Sequence, residues 1–250
     1  MRLRSAALLL ALAIVPARAE PGRCDRGSFR VLLDVGHSPS SPGATSARGR
    51  SEYGFNLRLS AAIEEGLKAR GYRETTRLLA SGGTERLSGR AAELRAAEPD
   101  LLLSVHHDSV QRRYLEPWTF EGKPQLFSDR FAGWSLFTSG ASPRAAESLR
   151  FARHLADRLL ARGWPFTRHH AEPIPGEGRP WAAPARGVHR FDALAVLKGS
   201  TAPAVLFEAG IIVNRMEEAE LERPERQAAI AQAVGEAVDL FCAEEGGRRR

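Results

Sequence analysis

Short apolar runs rich in branched residues alternate with helical patterns along most of this chain, and that alternation limits the folds it can adopt. Residues 29–35, 101–106 and 203–210 contain such runs, as expected for strands that are buried on both faces. Between them, apolar residues recur about every four positions, which is the spacing of one helix face. We therefore predict an α/β fold: a single domain with a mostly parallel twisted sheet and helices on both faces.

The same patterns predict the individual elements. Phe55, Leu59, Ile63 and Leu67 mark one helix, which Gly71 ends. Further helices are predicted over 84–98, 143–163 and 224–241, and a short strand over 75–79. With 250 residues, of which 43% are hydrophobic, the chain can bury one full-sized core.

Three segments are harder to interpret. The stretch "GWSLFTS" is interpreted as an edge strand and "ALAVLK" as another strand. The rest of residues 110–142 carries many aromatic residues broken by Gly and Pro, and is predicted to form long ordered loops. Loops of that length in a compact domain usually form a functional surface or a lid.

The first residues resemble an export signal. Arg2 and Arg4 precede an apolar stretch over 6–15, and residues 17–19 have the small-x-small form of a cleavage site. We predict a signal peptide at 1–19, a catalytic domain at 20–250 with its core at about 28–242, and no transmembrane segment. Removing the signal leaves 33 Lys and Arg against 30 Asp and Glu, since Arg18 is lost as well. That near balance argues against a nucleic-acid partner.

The two cysteines lie near opposite ends of the predicted mature chain. Secretion would place Cys24 and Cys242 in an oxidising compartment, and the termini of domains often lie close together. A disulfide between them is favoured over two free thiols. We also predict a monomer. The composition is rich in Ala and Arg and no wall anchor is recognised, which favours the periplasm over a location outside the cell.

Ionisable residues stand where three of the predicted strands end. His37, His106 and Glu208 each follow an apolar run, and Glu52 begins a helix after a loop leaving the first of these ends. In an open α/β sheet the binding crevice lies at the carboxyl ends of the strands, so these side chains are expected to converge. Two imidazoles and a carboxylate form a catalytic type of zinc set with one position left open, and a further carboxylate would carry the proton. Glu208 is the candidate for that role.

Motifs in chain order extend this interpretation. They are Asp34-Val35-Gly36-His37, Pro42-Gly43-Ala44, Glu52 with Asn56, Ser104-Val105-His106, and Pro203 to Gly210 followed by Asn214. Together they resemble the amidase-3 family, the zinc-dependent N-acetylmuramoyl-L-alanine amidases that cleave the amide between muramic acid's lactoyl group and the first alanine of the peptidoglycan stem peptide. The resemblance runs from residue 30 to about 240.

The resemblance implies a set of roles that agrees with the interpretation from the residues. Zn²⁺ would be held by His37, Glu52 and His106, and Glu208 would be the catalytic acid/base. Peptidoglycan or muropeptides would be the substrate, and an activator is left open. Asn56, His107 and Arg186 are candidate substrate-binding residues.

The chain departs from the family pattern beside the ligands. The usual Gly-His-Gly-Gly is His37-Ser38-Pro39-Ser40 after Gly36, and the usual Ser-x-His-Ala-Asn ends in His107-Asp108. Adjacent strand residues point to opposite faces, so His106 and His107 are not both expected at one metal, and we choose His106. Relatives with a helix that blocks the zinc carry it in the region equivalent to 110–142, where no such helix is recognised here.

Other candidates have ordinary explanations. His169 and His170 fall in a Pro-rich loop and are interpreted as solvated, and His189 is left as a possible lining of a substrate groove. The aromatic residues form either a substrate wall or ordinary packing beneath a long loop: Tyr114, Trp118, Phe120 and Trp134.

Two rival functions stay open at this point. One is a zinc peptidase or amidohydrolase of the same fold that acts on another amide, which only the loops 38–51 and 110–142 would distinguish. The other is a non-catalytic peptidoglycan-binding protein. It is disfavoured because His37, Glu52, His106 and Glu208 are all present.

Overall fold

A computed structural model describes residues 24–80 and 87–247. The strands are β1 (Val31–Val35), β2 (Thr76–Leu79), β3 (Leu101–Asp108), β4 (Glu116–Phe120), β5 (Lys123–Phe127), β6 (Ser135–Thr138), β7 (Trp181–Ala183), β8 (Val188–Arg190) and β9 (Ala204–Ile211). The α-helices are α1 (Glu52–Ala69), α2 (Leu87–Ala96), α3 (Ala145–Leu160), α4 (Ala195–Lys198), α5 (Arg215–Glu222) and α6 (Pro224–Gly247). The predicted signal peptide, the start of the predicted helix at residues 84–86 and the final arginines lie outside the described residues.

The main sheet has the order β2-β1-β3-β9-β6-β8-β7 among the described residues. The neighbours β2, β1, β3 and β9 are parallel, while β6 runs antiparallel to β9. Strand β8 is parallel to β6, and β7 is antiparallel to β8. The prediction of a single α/β domain with a mostly parallel sheet is confirmed.

Alternate residues of the central strands enter two separate cores, which is why their sequences are apolar throughout. Leu33 and Leu103 pack with α1, α3 and α6 on one face, whereas Leu32 and Leu102 pack with Leu94 of α2 and with α4 on the other. Helices therefore cover both faces of the sheet, as predicted.

Two strand predictions are wrong in detail. The last four residues of the segment "ALAVLK" form the short helix α4, and the segment contributes no strand to the sheet. A short apolar run does not distinguish a strand from a buried helical turn. The strand in "GWSLFTS" exists as β6, but it is an interior strand with all of its residues buried, and β7 forms that edge of the sheet.

The region 110–142 contains more regular structure than the predicted loops. Strands β4 and β5 pair antiparallel as a hairpin outside the main sheet, after a 3₁₀ turn at Arg112–Tyr114. Most residues of the hairpin are exposed, and its strands have no regularly spaced buried positions. The sequence of the hairpin therefore resembled that of a loop. No helix in the described residues is long and apolar enough to cross a membrane.

Cys24 and Cys242 form a disulfide, with Cα atoms 5.2 Å apart. The bond joins the segment before β1 to the last turns of α6, and both cysteines pack against the larger core. The prediction of a bridge is confirmed.

Candidate metal centre

The centre lies where β1, β3 and β9 end side by side. Val35 is in register with Val105, and His106 is in register with Glu208. The amide of Gly36 donates to the carbonyl of Val105 over 3.0 Å, which carries the pairing one residue beyond β1. Parallel register therefore brings three ionisable side chains, far apart in sequence, to one edge of the sheet.

Glu52 lies between two imidazoles. Its Oε2 is 3.0 Å from His37 Nε2, and its Oε1 is 3.0 Å from His106 Nδ1. Donor atoms from these three residues all lie within 4.8 Å of one another. The rings of His37 and His106 are nearly perpendicular, at 74°. Burial opposes the charge of Glu52, but the two imidazoles outweigh that effect and lower the pKa of its carboxyl far below the usual value.

The loop from His37 to Glu52 folds tightly over the carboxylate. Gly43 has φ of +77°, and a Cβ there would overlap Glu52 Oε2 and the His37 ring. The next amide, of Ala44, donates to Glu52 Oε2 over 3.0 Å. Ser51 caps α1 by accepting from the Gly54 amide, so Glu52 occupies the first helical position, where the helix dipole favours a carboxylate.

His37 itself has φ of +68°, in the left-handed region. A non-glycine residue there costs about 1–2 kcal/mol. The conformation turns the chain sharply at the end of β1 while the imidazole reaches Glu52. We interpret it as strain held in place by the surrounding contacts.

Asn56 and His107 lie behind the carboxylate, away from solvent. Asn56 Nδ2 donates to Glu52 Oε1 over 3.3 Å and to the Gly36 carbonyl, and its Oδ1 is 2.8 Å from His107 Nδ1. Asn56 is 0% exposed and His107 is 3% exposed. Burial is the main cause that lowers the pKa of His107 to about 3. Asn56 thus orients Glu52 from behind and His107 contacts Asn56, while the predicted substrate contact of the two residues stays a prediction.

Sequence reasoning missed Arg90, which lies on α2 and is buried. Its guanidinium pairs with Asp34 and donates to the carbonyls of Val35 and His37. Ser104 donates to the other oxygen of Asp34. The aspartate of the Asp-Val-Gly-His motif thus anchors the turn that carries His37. The predicted helix over 84–98 contains Arg86, Arg90 and Arg95, and no signal in the sequence distinguishes Arg90 from the other two.

Glu208 faces the same space from β9. Its residue is partly exposed, yet Oε2 is sealed from solvent and has no hydrogen-bond partner among the described residues. Burial, together with the charges of Asp108 and Glu52, raises the pKa of the Glu208 carboxyl well above its usual value. A higher pKa makes the Glu208 carboxylate a stronger proton acceptor than an ordinary glutamate.

The donor set suits zinc. Three ligands at about 2 Å from one ion place their donor atoms about 3.3 Å apart. Each imidazole nitrogen lies 3.0 Å from one oxygen of Glu52, so small side-chain shifts would bring the three donors around one ion. The side chains of His37 and His106 are partly exposed, so solvent or substrate can supply a fourth ligand. The set has no thiolate, and two imidazoles with a carboxylate are ligands that zinc accepts well.

Comparison with known proteins agrees with this geometry. The family profile described as N-acetylmuramoyl-L-alanine amidase, Amidase_3, matches residues 31–239. The chain belongs to this amidase family. No curated protein sequence matches the chain significantly.

Solved amidases share the fold of this amidase at low sequence identity. Ami1 from Mycobacterium smegmatis has a TM-score of 0.64 at 20% identity, over 87% of this chain and 98% of that one. The catalytic domain of CwlV from Bacillus (Paenibacillus) polymyxa var. colistinus has a TM-score of 0.60 at 21% identity, over 86% and 98%. The amidase from Clostridium difficile 630 has a TM-score of 0.62 at 17% identity, over 87% and 98%.

A groove of ≈ 480 Å³ opens beside the Glu52 loop of the amidase. Its lining is mostly apolar and comes from the loop, the ends of β3 and β9, and the hairpin: Ala44, Thr45, Ser46, Ser109, Leu115, Pro117, Pro124, Gln125, Leu126 and Val213. Trp118 Nε1 donates to the Ala47 carbonyl over 2.8 Å, so the hairpin is attached to the metal-site loop.

Three other residues singled out in the sequence lie outside the metal centre. Arg186 is partly exposed and pairs with Asp157 of α3 at 2.7 Å, so its contact with substrate stays a prediction. His189 is buried and stacks on Trp181, so it lines no open groove. Trp134 is buried packing whose Nε1 donates to the Trp164 carbonyl.

The aromatic residues of the 110–127 region make structural contacts. Trp118 and Phe120 pack together on the hairpin, with ring centroids 5.5 Å apart, and Tyr114 donates its hydroxyl to Glu172 over 3.0 Å. These contacts favour ordinary packing over an aromatic substrate wall.

The interpretation of His169 and His170 as solvated loop residues is wrong. His169 is buried and His170 is mostly buried, and both rings lie against Asp108. Sequence reasoning missed this cluster because the segment 164–190 looked like a Pro-rich surface loop.

Proposed function

We propose that this protein is a zinc-dependent enzyme that hydrolyses the amide between the lactoyl group of N-acetylmuramic acid and L-alanine of the peptidoglycan stem peptide. The convergence of His37, Glu52 and His106, with Glu208 beside them, carries the proposal. Membership of the amidase family supports the choice of substrate.

Each residue has a distinct task in this proposal. His37, Glu52 and His106 would hold Zn²⁺, which supplies a Lewis acid for the amide carbonyl and makes water more acidic. Glu208, whose pKa is raised by burial, takes the proton from the attacking water and passes it to the departing alanine amine. Asn56 and Ala44 keep the Glu52 carboxylate oriented through their N–H groups.

The groove between the Glu52 loop and the hairpin is the proposed site for the stem peptide. Ala44 belongs to its lining and also contacts Glu52, so a ligand in the groove would reach the metal centre.

Replacing Leu126, which is 42% exposed, by Asp is expected to raise KM for a muropeptide at least threefold with little change in Tm. Leu240→Asp, at 38% exposure on α6, is the control and should change neither value.

We also propose that the protein is exported and acts in the periplasm. The basic, then apolar, then small-residue order of residues 2–19 supports export, as does the Cys24–Cys242 disulfide, which needs an oxidising compartment. N-terminal sequencing of protein recovered from the periplasm is expected to begin at Glu20. Recovery of intact chain from the cytoplasm alone would contradict export.

The decisive experiment is mass spectrometry of purified peptidoglycan and soluble muropeptides after incubation with the protein. The expected products are free stem peptides and intact glycan strands. Chelation should abolish release, and zinc should restore it. Glu208→Gln should lower kcat by at least a hundredfold while zinc stays bound, because the substitution removes proton transfer and leaves His37, Glu52 and His106 intact. Glu225→Gln, at an exposed position, is the matched control and should keep full activity.

The outcomes separate the rival functions. Zinc binding without peptide release would favour another amide substrate or a requirement for an activator. Peptide release that survives both chelation and Glu208→Gln would contradict the mechanism. Binding to peptidoglycan with neither zinc nor hydrolysis would favour a non-catalytic wall-binding protein.

A further inference from the structure

A second group of metal-type donors lies at the end of β3, two residues beyond His106. Asp108 ends that strand, and a one-turn 3₁₀ helix at His169–Ala171 brings two adjacent histidines against it. A register shift between β3 and β9 falls between His106 and Asp108.

The donor atoms of the second group converge on one carboxylate oxygen. His170 Nε2 is 2.7 Å from Asp108 Oδ2, and His169 Nε2 is 3.4 Å from the same atom. All three donor atoms lie within 4.8 Å of one another, as they do around Glu52. Ligands bound to one ion at about 2 Å would be about 3.3 Å apart, so small side-chain shifts would accommodate a cation.

The other nitrogen of each ring is already held. His169 Nδ1 is 2.9 Å from Thr167 Oγ1, and His170 Nδ1 is 3.0 Å from Glu177 Oε2. Gln111 in turn donates to the other oxygen of Glu177 over 3.1 Å. Metal-binding histidines characteristically have one nitrogen oriented by a carboxylate or hydroxyl, which directs the second nitrogen to the ion.

The site also has an unmet need for a partner. His169 is 1% exposed, and its Nε2 has no hydrogen-bond partner although it points at Asp108. Two carboxylates, of Asp108 and Glu177, contact a single histidine of the pair, His170. His170 already serves as the partner of both carboxylates, so the unpartnered Nε2 of His169 is the atom that a bound cation would satisfy.

We propose that Asp108, His169 and His170 form a second divalent-cation site, selective for zinc-like ions, with Thr167 and Glu177 as orienting residues. Two imidazoles and one carboxylate favour zinc over the oxygen-seeking Mg²⁺ and Ca²⁺. The ion would fasten the segment carrying His169 and His170 to the end of β3. Because Glu208 interacts with the charges of both Asp108 and Glu52, it stands near both centres.

Metal content distinguishes the two sites. The purified protein, saturated with Zn²⁺ and freed of excess by gel filtration, is expected to hold two equivalents by mass spectrometric elemental analysis. His37→Ala and His169→Ala should each hold one, and the double variant none. A single wild-type equivalent that His37→Ala removes and His169→Ala leaves in place would overturn the second site. A single equivalent lost only in His169→Ala would instead overturn the first site and with it the proposed mechanism.

A measurement on the wild type avoids any dependence on variant folding. Titration of metal-free protein with Co²⁺, followed by visible absorption, should saturate at two equivalents, and saturation at one would overturn the proposal. Glu177→Gln should weaken the second step about 10–100-fold, because it removes the carboxylate that orients His170. Glu172→Gln is the matched control in the same segment. It contacts Tyr114 and should leave both steps unchanged.

Discussion

At the scale of single residues, the metal centre depends on close approach as much as on the donors. Gly36 and Gly43 stand where a Cβ would overlap the His106 ring and the Glu52 carboxylate respectively. His37 adopts a left-handed conformation to turn the chain at the end of β1. These residues pack closely around the Glu52 carboxylate. A side chain that is larger by even one methyl group should therefore displace the donor atoms and weaken metal binding.

Gly43→Ala tests this directly. The new Cβ should displace Glu52 and His37, and we expect zinc content at the first centre to fall below a tenth of an equivalent while the fold persists. Gly122→Ala is the matched control, since Gly122 has φ of +75° but open space around its Cα. Both variants carry backbone strain of about 1 kcal/mol, and only Gly43→Ala carries the overlap. Equal zinc binding by the two would contradict the argument.

Arg90→Met tests the buried pair with Asp34. The variant leaves the Asp34 carboxylate buried without its partner, so we expect the free energy of unfolding to fall by about 3–5 kcal/mol in urea titrations. Arg223→Met removes an exposed pair with Glu220, where both side chains are more than half exposed, and should cost about 1 kcal/mol or less. Similar losses for the two variants would show that the Asp34 pair does not act as a buried one.

At the scale of elements, the β–α alternation was readable because each strand is apolar on both faces and each long helix keeps one apolar face. The elements that were misread are short. Strand β6 and helix α4 are each four residues long, which is too short for the apolar period to repeat enough to tell a strand from a helix. The hairpin was missed because its side chains mostly face solvent and its register depends on contacts such as that of Trp118 with the Ala47 carbonyl.

The junction between the end of α1 and α6 gives a prediction for pH. Tyr72 is buried and donates its hydroxyl to Asp239 over 2.8 Å. Burial first, and then the hydrogen bond and charge of Asp239, raise the pKa of Tyr72 from 10.0 to about 12. A group whose pKa is higher in the folded state stabilises the fold fully below its unfolded pKa. This contribution is then lost as pH rises through the folded value.

The contribution of Tyr72 should therefore be complete below about pH 10 and disappear toward about pH 12, an effect of about 3 kcal/mol. Urea unfolding of the wild type from pH 9 to 11.5 is expected to show a steeper loss of stability than Tyr72→Phe, which has no phenol to ionise. Parallel curves for the two proteins would contradict the assignment.

At the scale of the whole molecule, the disulfide joins two segments that are 218 residues apart in sequence. Closing so long a loop lowers the conformational entropy of the unfolded chain. In the chain-entropy model this raises the free energy of unfolding by about 5 kcal/mol. The double variant Cys24→Ala/Cys242→Ala should lower Tm by at least 5 °C in calorimetry while keeping zinc and activity. Mild reduction of the wild type should have the same effect, and an unchanged Tm in both cases would mean that the bridge contributes nothing.

Patterns along the chain were enough to predict the fold class, the order of the main strands and helices, and the residues expected at the sheet edge. These features depend on local periodicity and on the rule that parallel strands end at one edge, and both can be read along a chain. The contacts of His107 with Asn56, of Arg90 with Asp34, and of His169 and His170 with Asp108 became visible only in three dimensions. Such pairings join elements distant in sequence. Their geometry is set by packing between layers, which leaves no periodic signal in the sequence.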